Sequence, residues 1–75
     1  MNRIQYIVTQ IDGRWFVMLQ GQRHGPYGSQ AAALEDAIRG AQLVTNSQVL
    51  IKTADDQPRV KWTHGIDANR YGPRT

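Results

Sequence analysis

The chain has 75 residues, a net charge of +3 and no cysteine. That length supports one domain with a small core. The missing thiols exclude disulfides, thiolate catalysis and the usual structural zinc sites, while a pI near 9.8 permits an acidic partner without requiring one. No apolar run approaches the ~20 residues of a membrane span, and the N-terminus has no signal-peptide apolar region, so the expectation is a cytoplasmic chain with no membrane partner.

The first element is a hairpin. Two apolar runs between Tyr6 and Leu19 are hinged at Asp12-Gly13, a pair suited to a type I′ turn because both central positions need positive φ. That turn fixes the register: Ile11 opposes Arg14, Gln10 opposes Trp15, Val8 opposes Val17 and Tyr6 opposes Leu19. Alternation then places Ile4, Tyr6, Val8, Trp15, Val17 and Leu19 on one face, and Ile7, Thr9, Phe16 and Met18 on the other with Gln5, Arg14 and Gln20. One helix can bury only one of these faces, so the apolar Ile7, Phe16, Met18 group asks for a second explanation.

Gly21 to Gly28 carries three glycines and a proline and reads as a loop, with a short edge strand near residues 23–27 admissible because proline is tolerated at edges. Ser29 stands before a run of helix formers as an N-cap, although Ala32 occupies the place where a capping box needs Glu or Gln. From Gln30 to about Val44 the spacing of Leu34, Ala37, Ile38, Ala41 and Val44 predicts one amphipathic helix. Its alanine-rich stripe allows close approach to a sheet. Glu35 and Arg39 form an i,i+4 pair, and Asn46 is a candidate for a left-handed position past the helix end.

Gln48 to Thr53 and Arg59 to His64 predict a second hairpin about the polar turn Ala54 to Pro58. Alternation groups Val49, Ile51, Val60 and Trp62 toward the helix, and Leu50, Lys52, Arg59 and Lys61 away from it. The predicted architecture is therefore an α+β domain over residues 1–64: an antiparallel sheet of two hairpins with one helix on one face. Residues 65–75 read as a loose or docked tail.

The order of landmarks, Tyr6-x-Val8, Asp12-Gly13-x-Trp15-x-Val17, a helix with Ala33, Ala37 and Ala41, then Val49-Leu50-Ile51, resembles a family of small bacterial domains of unknown function. The resemblance covers about residues 4 to 64 and is carried chiefly by the hairpin. It implies this fold and transfers no activity or catalytic residue. The closing turn Asp55-Asp56-Gln57-Pro58 departs from the Asp-Gly that members often show, and Ile7, Phe16 and Met18 stand where members are more often polar.

Chemistry-bearing residues have plainer explanations. His24 and His64 with Asp55 and Asp56 could ligate a metal, but they come from separate loops without short ligand spacing and read as exposed polar groups. Ser29 and Ser47 are helix-end residues outside any nucleophile motif. The Gly25 to Ser29 loop lacks the lysine and glycine spacing of a phosphate loop and reads as a turn plus N-cap. Trp15, Trp62 and Tyr6 share the parity of the core. No catalytic residue, cofactor, metal or small-molecule substrate is expected.

The outward face is the functional candidate. Ile7, Phe16, Met18 and Leu50 form its apolar centre with Arg14, Lys52, Arg59 and Lys61 around them. It suits a homodimer or protein-partner interface with a charged rim. The alternative is a nucleic-acid platform with a base stacked on Phe16 and cations following phosphates. In a third reading the tail folds back, with Ile66 and Tyr71 covering the patch.

Overall fold

A computed structural model of the chain describes residues 3–53 and 57–65. Five strands and one helix follow in the order β1 (Ile4–Ile11), β2 (Arg14–Leu19), β3 (Gln22–Tyr27), α1 (Gln30–Ala41), β4 (Ser47–Lys52) and β5 (Arg59–Thr63). They form an α+β domain with a single mixed sheet in the spatial order β3-β2-β1-β4-β5.

The first hairpin has the register its turn demands. Asp12 and Gly13 both take positive φ, 52° and 79°, and Tyr6 pairs with Leu19, Val8 with Val17 and Ile11 with Arg14. A second tight turn follows at Gln20-Gly21, φ 51° and 82°, and returns the chain as β3, antiparallel to β2. Segment 22–27 is thus a full strand.

That strand reverses the direction of everything after it. With three strands running up, down and up, the helix must run down and β4 must run up, so β4 lies parallel to β1, Tyr6 beside Val49 and Val8 beside Ile51. The expected all-antiparallel sheet of two hairpins is corrected to a mixed one, in which only β1 and β4 are parallel neighbours among the described strands.

Ser29 caps the helix as expected, its Oγ accepting the Ala32 N–H at 3.1 Å. The helix ends at Ala41, three residues short of the expected limit. There Leu43 and Val44 donate to the carbonyls of Gly40 and Ala41 three residues back, a tightened final turn that consumes orphan acceptors. Leu43 is left 87% exposed. Asn46 takes the left-handed conformation at φ 64°, and Ser47 Oγ, fully buried, lies 2.7 Å from both the Ala41 and Val44 carbonyls. Its one hydroxyl proton is placed between these two carbonyls, of which Ala41's also accepts the Val44 N–H.

The core lies between the helix and the sheet face carrying Tyr6, Val8, Val17, Val49, Ile51 and Trp62, all buried, against Ala33, Ala37, Ile38 and Ala41. Small residues let the helix descend. A Cβ on Gly40 would sit 3.3 Å from the Tyr6 ring, so the ring occupies space that a larger residue would claim. Trp62 is wholly buried, its ring edge-on to His64 at 5.9 Å.

The last strand departs from simple alternation. Trp62 pairs with Val49 but Val60 pairs with Leu50, a one-residue shift at Lys61. A bulge of this kind flips the parity of the residues before it. Val60, expected in the core, is corrected to the side away from the helix and is 52% exposed.

Candidate functional site

The sheet face turned away from the helix is organised by its ladders. Arg23 pairs with Met18, Met18 with Ile7, Ile7 with Leu50 and Leu50 with Val60. This row crosses all five strands, about 19 Å at ordinary strand spacing. A second row beside it joins Phe16, Thr9 and Lys52, and Arg14 opposes Ile11 nearer the first turn.

Ile7, Phe16 and Met18 are half-buried and Val60 is exposed. Leu50, flanked by Ile7 and Val60, is buried, yet it lies outside the cluster that the helix covers. Over the Phe16 ring lies the Arg23 guanidinium, 4.9 Å from the ring centroid, a cation–π contact whose partner comes from the strand that sequence patterning left uncertain. Ile7 and Met18 also floor a shallow concavity of about 400 Å³ rimmed by Arg3, Gln5, Gln20 and Gly21.

Six of the eight residues expected on this face are there by register: Ile7, Phe16, Met18, Leu50, Arg14 and Lys52. Arg59 and Lys61 are corrected. Arg59 pairs with Ile51, a core residue, and both cations line a smaller concavity of about 150 Å³ with Gln30 and Ile51 beside the start of the helix. The Lys61 bulge is responsible. Arg23, Arg3 and Val60 join the face instead. Arg23 could have been found by treating segment 22–27 as a strand with a two-residue turn before it, whereas nothing in the sequence announces the bulge that exposes Val60.

On the helix side a third concavity, about 230 Å³, lies between β2, β3 and the helix, lined by Tyr6, Leu19, His24, Tyr27 and Asp36. Tyr27 donates its hydroxyl proton to Asp36 Oδ2 at 2.5 Å. Burial, then the hydrogen bond to Asp36 and that carboxylate's charge, push the Tyr27 phenol up to about 12. Asp36 also receives Arg39 at 3.2 Å, and Arg39 lies 3.7 Å from Glu35, so both helix carboxylates are already engaged.

His24 is on β3 and His64 follows β5, at opposite ends of the sheet. Among the described residues no three His, Cys, Asp or Glu side chains are grouped to hold a metal ion, and no helix there is long and apolar enough to cross a membrane. Asp55 and Asp56, and the tail with Ile66 and Tyr71, lie outside the described residues.

Both sheet edges are guarded against strand addition. β3 carries Gly25 and Pro26 and an irregular pairing, and β5 carries the Lys61 bulge just after Pro58 and Arg59. Such devices discourage edge pairing. No family model, no curated protein and no solved structure matches the chain.

Proposed function

We propose that the chain is a non-enzymatic interaction module that engages a second copy or another protein through the sheet face opposite the helix. The observation that carries this reading is the row Met18, Ile7, Leu50, Val60, an apolar band across four strands and outside the helix-covered core. An apolar centre with a charged rim is the anatomy of a protein interface.

Sedimentation equilibrium across protein concentration, on the parent chain and on Phe16→Glu, tests it. A concentration-dependent dimer abolished by a folded Phe16→Glu variant supports self-association. A monomer up to millimolar concentration removes the second copy and leaves a different protein partner. Loss of the fold in Phe16→Glu overturns the reading, because the face would then be core.

A nucleic-acid platform is the second reading, favoured by the cations Arg3, Arg14, Arg23 and Lys52. Single-stranded oligonucleotides should then bind at low salt and release as salt rises. Phe16 is the one aromatic in the two rows, and a base would have to displace Arg23 from its ring.

A further inference from the structure

Among the described residues, the charges placed around the apolar band have one sign. Arg3 flanks it at one end, Arg14 and Lys52 at the other, and Arg23 at the β3 edge, while among the described residues no carboxylate joins the rows of that face. The described carboxylates are Asp12 in the first turn and Glu35 and Asp36 on the helix, and the helix pair is held by Arg39 and Tyr27. A second copy pressing the same face would therefore bring cations against cations, with the Glu35 and Asp36 carboxylates on its far side.

Size points the same way. Four strand spacings by six or seven residues of strand length give the face a flat footprint on the order of 400 Å², the breadth of one or two helices laid across it. A face of that area suits a single segment of another protein better than a globular copy.

From these observations, and resting on the reading of this face as an interaction surface, we infer that its occupant is an acidic amphipathic segment of a different protein: aliphatic side chains set on Ile7, Met18 and Val60, with carboxylates on either flank reaching Arg3, Arg14, Arg23 and Lys52. The aliphatic centre gives such a segment a dry contact, whereas stacked bases would find only Phe16, already covered on one side by Arg23. The cations would supply orientation and speed of encounter more than affinity.

The test uses the full chain and fluorescein-labelled helical peptides of about 18 residues with one leucine stripe, flanked in one version by glutamate and in the other by lysine. Fluorescence anisotropy should show the glutamate peptide binding at least ~10-fold more tightly than the lysine peptide at low salt, the gap closing as salt shortens the Debye length. Met18→Asn, which removes the apolar side chain without adding charge, should weaken binding about tenfold or more. The double variant Arg23→Glu, Lys52→Glu, both at exposed positions, leaves two cations against two carboxylates on the rim and should erase the preference.

Equal or tighter binding of the lysine peptide, still weakened by a folded Met18→Asn, would overturn the charge inference and leave the face as an interaction surface. Binding indifferent to Met18→Asn and to the double charge reversal would overturn both. So would an absence of glutamate-peptide binding up to ~1 mM together with a monomer in the ultracentrifuge. A dimer that excludes the peptide would assign the face to a second copy. Tighter binding of a single-stranded oligonucleotide, lost in Phe16→Glu, would assign it to nucleic acid.

Discussion

The Arg23 guanidinium lies 4.9 Å over the Phe16 ring, on the side of the sheet that the helix does not cover. The contact joins β3 to β2 across an irregular stretch of pairing, where Trp15 opposes Tyr27 but Val17 already opposes His24. An aromatic side chain that points away from the core is thereby held in place by a cation that points away from it too.

The geometry behind Phe16 depends on Gly25. Its φ is +127°, and a Cβ there would lie 3.0 Å from the Trp15 carbonyl oxygen and 3.1 Å from the Phe16 ring. Gly25→Ala should destabilise the fold by at least ~1 kcal/mol in urea unfolding, since both backbone conformation and space oppose it. Gly28→Ala, with nothing within 4 Å, should stay within ~0.5 kcal/mol of the parent. Arg23→Ala should cost no more than about 1 kcal/mol, the range of an exposed cation–π contact.

The Tyr27–Asp36 contact predicts a pH dependence at the alkaline end. Tyr27 in the folded chain titrates at about 12, above its ordinary value of 10.0, so the native state holds this proton more tightly than the unfolded state. The stabilisation is fully present below pH 10 and is lost as the pH rises from 10 through 12. Asp36→Asn should lower the Tyr27 phenol by removing the carboxylate's charge. Absorbance titration of the parent, Asp36→Asn and Tyr27→Phe measures this, and an unchanged curve in Asp36→Asn would contradict it.

The two faces of the sheet should respond differently to substitution. Ile38→Ala empties a site that is 2% exposed in the core and should cost ~2–5 kcal/mol, a large share of the ~4–11 kcal/mol expected for a domain of this length. Met18→Lys should cost less than ~1 kcal/mol, because a lysine stem covers the same apolar surface and its ammonium reaches water. Urea midpoints on the two variants decide it, and comparable losses would mean that both faces are core.

These contrasts show what the sequence could and could not convey. Asp12-Gly13 specified its hairpin to the residue, because turn chemistry and alternating apolar runs agree there. Gln20-Gly21 makes a second turn with both residues at positive φ, but glutamine rarely adopts that conformation, and Gly25 and Pro26 made the following segment look like a loop. Missing that strand as a fixed element leaves the direction of β4 undetermined, so the parallel β1–β4 pair was not legible. The helix end illustrates the same competition: Val44 continues the helical spacing, yet Ser47 binds the Ala41 and Val44 carbonyls and the chain turns early.

At the candidate site the inner half of the pattern was readable and the outer half was not. Alternation alone puts Ile7, Phe16 and Met18 together, since β1 and β2 pair without irregularity. The same alternation carried into β5 places Arg59 and Lys61 on the wrong side, because one extra residue at Lys61 reverses it there. A bulge is set by how two strands meet, and neither strand's own sequence contains it.

We propose that the face bearing Ile7, Phe16, Met18 and Arg23 takes a protein partner. Amide chemical shifts of the ¹⁵N-labelled chain, followed as the glutamate-flanked peptide is added, test it most directly. The perturbed amides should cluster on β1, β2 and β4 around Ile7, Met18 and Leu50, with Arg23 at the border and the helix residues 30–41 unmoved. Perturbations centred on the helix or on the Tyr27–Asp36 concavity, or none at saturating peptide, would contradict it.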